Sequence, residues 1–167
     1  MPSADPEKPD ESQEFELLSL PLGGDSGGQE AVPVDALDSA RYRLRASPGL
    51  LLGMAAGDVF CLAANETGFE VLERAGNLCI QIFTRESPGP IAELAAQLFA
   101  PLGGYLDGGH TSASGASVVV MPVPLPADGF GSVEAAVEQL LEQYPAAEWY
   151  FANVYDPHDG ETPLNWW

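Results

Sequence analysis

The chain has 167 residues, enough for one compact domain or two small subdomains sharing a core, since domains typically hold about 100 to 150 residues. With 46% hydrophobic residues it lies outside the disordered class despite a formal net charge of −19. That charge excludes direct binding to nucleic acid or to an anionic membrane, whose phosphates demand far more Lys and Arg than the six present, and it leaves basic proteins and cations as partners.

Met1 to Glu14 is acidic and Pro-rich, without the basic start and apolar run of a secretory leader, so the chain reads as cytoplasmic and 1–14 as a disordered tail. No window approaches the ~18 apolar residues of a membrane span. A β-rich subdomain is expected over 15–76. Phe15, Leu17, Leu18 and Leu20 suggest a first strand, closed by Pro21 and the turn Gly23-Gly24-Asp25-Ser26-Gly27-Gly28. After Val32-Pro33-Val34, the segment Arg41-Tyr42-Arg43-Leu44-Arg45 alternates strictly, as a half-buried strand does. Leu50-Leu51-Leu52, Asp58 to Leu62 and, beyond the turn Asn65-Glu66-Thr67-Gly68, Phe69 to Glu73 complete a run of short strands. Their spacing points to a small antiparallel sheet or partial barrel. Cys61 and Cys79 lie apart in apolar runs and read as buried, reduced thiols.

From Asn77 the order changes. Leu78 to Arg85 reads as a strand, and Ser87-Pro88-Gly89-Pro90 starts a helix with Ile91, Leu94, Ala95, Leu98 and Phe99 on one face. An extended piece from Tyr105 to His110, a loop from Thr111 to Gly115 and the β-branched strand Ser117 to Met121 follow. Ser132 is a candidate N-cap for a second helix, which buries Val133, Ala136, Val137, Leu140, Leu141 and Tyr144. Trp149 to Tyr155 closes the series as an aromatic strand. This βαββαβ order over 77–155 predicts an α+β chain whose second half is a ferredoxin-like sandwich, with 156–167 as a C-terminal tail ending in Trp166-Trp167.

Arg85 is the last Lys or Arg in the sequence. The second helix stacks Glu134, Glu138 and Glu142 at i, i+4 and i+8, where each like-charge pair costs about 0.2 to 0.5 kcal/mol and lysines would relieve it. Glu148, Asp156, Asp159 and Glu161 flank the neighbouring strand, so these carboxylates form the candidate partner surface. Trp166 and Trp167 either fold back over the sheet or anchor a partner, as Trp does at interface hot spots. His110, with Ser112 or Asp107, is the candidate for a small hydrolase, but no nucleophile elbow precedes it. Tyr155-Asp156-Pro157-His158-Asp159-Gly160-Glu161 lacks calcium-loop spacing and reads as turns. No catalytic residue, cofactor or metal site is expected.

Arg41 to Arg45, followed by Leu52-Gly53-Met54-Ala55-Ala56-Gly57-Asp58-Val59-Phe60 and the strand Phe69-Glu70-Val71, resembles a small bacterial family known as a domain of unknown function. Its pattern is an extended YRLR-like strand, a proline and a GxxxGDV turn, here spanning Phe15 to Tyr155. The resemblance implies a ferredoxin-like second half and no catalytic residues, and related acidic proteins serve as cytosolic immunity factors against toxins. The expected function is therefore an immunity or antitoxin-type protein, monomeric or homodimeric, whose acidic surface docks on the basic cleft of a cognate toxin. A ligand-sensing or scaffolding module that pairs through a strand edge such as Trp149 to Tyr155 is the alternative.

Overall fold

The computed structural model describes residues 14–22, 27–64 and 68–167. The tail expected over 1–14 and the turns at Gly23-Gly24-Asp25-Ser26 and Asn65-Glu66-Thr67 fall outside these, Glu14 apart. The chain is α+β, built from two antiparallel sheets and two helices.

The first sheet is an open meander of β1 (Glu16–Pro21), β2 (Gln29–Ala36), β3 (Arg41–Leu44), β4 (Val59–Leu62) and β5 (Phe69–Glu73), in that spatial order. No closed barrel forms among the described residues. Alternation decides the faces: Leu20, Val32, Val34, Leu44 and Phe60 point into one core with Leu51, Met54 and Phe69, while Arg41 and Arg43 stay in water.

The second sheet contains β6 (Asn77–Thr84), β7 (Gly108–Thr111), β8 (Ser117–Pro124) and β9 (Glu148–Phe151), in the order β7-β8-β6-β9. Helices α1 (Pro88–Phe99) and α2 (Gly131–Gln143) cover one face of it, seating Ile91, Ala95, Phe99, Val133, Val137 and Leu140 against Leu78, Ile80, Ile82, Val119 and Met121. The other face of β6 and β8 presents Cys79, Val118 and Val120 to Leu52 and Ala55 from the first half.

Leu50-Leu51-Leu52 is therefore not a strand. It belongs to an irregular segment, 45–58, that wedges between the sheets, and its backbone is satisfied from both sides. Glu30 accepts hydrogen bonds from the N–H groups of Gly49 (2.7 Å), Leu50 (3.0 Å) and Leu51 (2.7 Å). Gln81 Nε2 donates to the Pro48 carbonyl at 2.9 Å, and Gly53 N–H to that of Ala152 at 2.8 Å. Three further boundaries differ from expectation. β7 starts at Gly108 rather than Tyr105. β9 ends at Phe151, because the Asn153 side chain turns inward to accept from Cys79 N–H and donate to the Asn77 carbonyl, both at 2.8 Å. Phe130, not Ser132, is the N-cap of α2, and the buried Ser132 Oγ has no hydrogen-bond partner.

Candidate functional site

Helix α2 buries Val133, Ala136, Val137 and Leu140, so the 3.6-residue period turns Glu134, Glu138 and Glu142 outward, where all three are exposed. Glu134 sits in the first turn, where the helix dipole favours a carboxylate; Glu142 lies in the last turn, where the dipole opposes it and no basic residue relieves it. Glu148 opens β9 opposite Phe83 and is also exposed. None of the ion pairs among the described residues reaches these four.

Arg85 follows β6, two residues beyond the Phe83 that pairs with Glu148, and the other described arginines lie on the first half. Arg41 is bound to Asp38 at 2.7 Å, and Arg45 lies 3.5 Å from Asp35, both on the first sheet's side. Asp38, held below its ordinary carboxylate range first by the Ala40 N–H and then by the Arg41 side chain, closes the turn into β3. Arg74 is turned inward, donating to the Gly53 carbonyl at 2.7 Å and reaching Asp58 at 3.4 Å.

The C-terminal carboxylates are engaged in turns. Asp156 accepts from His158 N–H at 2.9 Å; Asp159 accepts from Glu161 N–H at 2.8 Å, Thr162 N–H at 2.9 Å and the Thr162 hydroxyl at 2.5 Å. The Thr162 hydroxyl first, then the two N–H groups, pull the Asp159 carboxyl down to about 2. Glu161 is exposed. Among the described residues, no group of three or more His, Cys, Asp or Glu is arranged to hold a metal ion.

The tail folds back. Leu164 N–H donates to the Val154 carbonyl at 2.8 Å, and Trp166 Nε1 to that of Asn153 at 2.7 Å, while the Arg74 guanidinium lies 5.7 Å from the centre of the Trp166 ring. Trp167 meets Phe130 edge-on at 5.4 Å and remains 45% exposed. Because Phe130 caps α2, this places an accessible indole beside the helix turn that carries Glu134.

The histidine candidates are not joined. His110 is exposed on β7 and hydrogen-bonds neither Asp107 nor Ser112; Asp107 accepts from Ser47 N–H at 2.5 Å, and Ser112 pairs with Ser114 at 2.8 Å. Cys61 and Cys79 are both free, and burial pushes the Cys79 thiol up.

The Gly53 to Asp58 motif has a structural basis. Gly53 and Gly57 hold φ of +100° and +89°, and a Cβ on Gly57 would stand 2.7 Å from that of Ala75. Asp58 is 1% exposed and accepts from Ala55 N–H (3.0 Å) and Ala75 N–H (2.9 Å), tying the wedge to the end of β5.

Sequence reasoning missed two clefts that flank β7. One, of about 200 Å³, runs between β7 and the first half and is lined by Glu30, Ser47, Pro48 and Asp107. The other, of about 340 Å³, lies towards α1 and is lined by Pro88, Ala92, Leu106 and Val119. The adjacent Gly108 and Gly109 in the extended piece were the available signal.

A family model described as a domain of unknown function, DUF4265, matches residues 30–149. No curated protein matches. Among solved structures, a hypothetical protein from Neisseria gonorrhoeae is similar with a TM-score of 0.57 and 11% identity, over 84% of this chain and 95% of that one. At that identity the likeness is one of fold.

Proposed function

This chain belongs to the domain-of-unknown-function family DUF4265, and on that premise we propose that it is a binding protein of the immunity or antitoxin kind. Its acidic face docks on the basic cleft of a cognate toxin and keeps the toxin's substrate out. The observation that carries this reading is the exposed ridge of Glu134, Glu138 and Glu142 on α2, with Glu148 exposed at the start of β9 and the half-exposed Trp167 beside the Glu134 end of the helix. A ridge of like charge weakens its own helix, and a cationic partner removes that repulsion. Trp167 supplies the apolar anchor such interfaces concentrate their affinity on. Toxins that act on nucleic acid or nucleotides carry cationic clefts, because phosphate substrates require them.

Within this reading the second half is a ferredoxin-like sandwich. The order β7-β8-β6-β9 with α1 and α2 on one face supports it, and such a sandwich leaves the outer face of its second helix free to bind. The protein acts in the cytoplasm, before the toxin meets its substrate.

The test is co-expression with the product of the adjacent upstream reading frame. That product arrests growth and this chain restores it; the purified pair binds with an association rate that falls steeply between 50 and 500 mM salt, on the order of tenfold or more. Changing Glu134, Glu138 and Glu142 together to Gln abolishes the rescue. Binding insensitive to both salt and the triple change overturns the mechanism.

A further inference from the structure

Strand β7 is the outermost strand of the second sheet, and all four of its residues, Gly108 to Thr111, are exposed. Among the described strands it pairs with β8 alone. Its outer backbone edge is therefore open to another strand, a feature that proteins commonly blunt with charge, proline or a covering loop. Here two of the four residues are glycines, so little side chain shields the edge.

The clefts on either side of β7 give that edge a chemical preference. Both reach Gly108, Gly109 and His110. Gly108 pairs with Val120, which lines the smaller cleft, and Gly109 with Val119, which lines the larger, so the two faces of the strand open into different spaces. A strand added alongside would send alternate side chains into each, because side chains alternate with a period of two. The smaller cleft carries the carboxylates of Glu30 and Asp107 with no Lys or Arg among its lining residues. Backbone N–H groups of Ser47 and Gly49 draw on these two carboxylates. The larger cleft is walled by Pro88, Ala92, Leu106 and Val119.

We infer that the β7 edge is a peptide-binding site, which accepts an extended segment of a partner protein alternating basic with small apolar side chains. The segment continues the second sheet by one strand, its Lys or Arg directed to Glu30 and Asp107 and its Val- or Ala-sized residues to Leu106 and Ala92. Four residues of β7 accommodate about 14 Å of extended peptide. The site is separate from the α2 ridge, since β7 and β9 form opposite borders of the sheet.

The experiment titrates the ¹⁵N-labelled full chain with an N-acetylated, C-amidated Val-Lys-Val-Lys-Val-Lys peptide and with its Val-Glu counterpart. The Val-Lys peptide shifts the amides of Gly108 to Thr111 and the Val-Glu peptide does not. Replacing Leu106, which is 42% exposed, by Gln weakens binding about tenfold without unfolding the chain. Ala92→Lys, at a half-buried helix position that lines the apolar cleft, weakens it likewise, with an unchanged far-UV circular dichroism spectrum showing that the chain stays folded. Absence of shifts at millimolar peptide, equal binding of the Val-Glu peptide, or shifts confined to Glu134 to Glu142 overturns the inference. So do concentration-dependent shifts of the β7 amides without peptide, which would assign the edge to a second copy of this chain.

Discussion

Asp58 and Asp159 are both acceptors of backbone hydrogen bonds, and their surroundings push them in opposite directions. Burial raises the Asp58 carboxyl above its ordinary range against the pull of the Ala75 and Ala55 N–H groups and of Arg74. Asp159 is open to water, and its hydrogen bonds act almost unopposed. Its folded-state value of about 2 lies below the ordinary 3.8, so its stabilising contribution is present above pH 3.8 and is lost as pH falls towards 2. A side-chain carboxyl NMR titration is expected to give a midpoint near 2 for Asp159, and Thr162→Val is expected to move it upward by removing the first of its causes. A midpoint unchanged by that substitution would assign the shift to something other than the turn. The role of Asp58 was only partly legible: the Gly-Asp spacing marked a tight turn, but its donors at Ala55 and Ala75 come together only when β5 packs beside the wedge. Asp159 was counted with the candidate partner surface and also lay in a run that read as turns, and the structure places it in a turn.

Elements with a strong period were legible, and those shaped by tertiary contact were not. Helix α1 follows its apolar face of Ile91, Ala95 and Phe99, and Pro88 starts it as a proline in a first turn does. Leu50 to Leu52 carried strand-like composition, yet the N–H groups of Leu50 and Leu51 go to the Glu30 carboxylate, a partner that no local pattern announces. The Ser132 reading failed for a similar reason: helix α2 begins two residues earlier, with Phe130 as its N-cap, and packing draws that hydroxyl into the interior. The ridge on α2 was fully legible, because exposure follows directly from the periodicity of the buried residues. Its energetics are open to measurement. Glu138→Lys replaces two repulsive i, i+4 pairs by two attractive ones, and is expected to raise stability by about 1 kcal/mol in denaturant melts. If the ridge binds a cationic partner, the same substitution weakens that complex. Stability and docking therefore move apart, and a variant that lost both would point to a disturbed fold instead.

Across the whole molecule Arg41, Arg43, Arg45 and Arg74 gather on the first sheet and at its border, Arg85 stands just past the end of β6, and the portion after it is without Lys or Arg altogether. The net charge of −19 makes self-repulsion a term of the folding equilibrium, and salt screens it within a Debye length of about 10 Å at 0.1 M. The melting temperature is expected to rise by about 3 °C between 10 and 500 mM NaCl, corresponding to roughly 1 kcal/mol for a chain of this size. A melting temperature that fell with salt would mean that the Arg41–Asp38 and Arg45–Asp35 attractions outweigh the repulsion. The α+β class and the charge asymmetry were legible at this scale. The wedge joining the sheets was not, because it depends on contacts between residues far apart in sequence. Arg74 lies at the centre of that junction, touching the Gly53 carbonyl, Asp58 and the face of Trp166 at once. The indole is in this way an optical gauge of the glycine turn: whatever loosens that turn also wets Trp166, and its emission shifts to longer wavelength without any label having been attached.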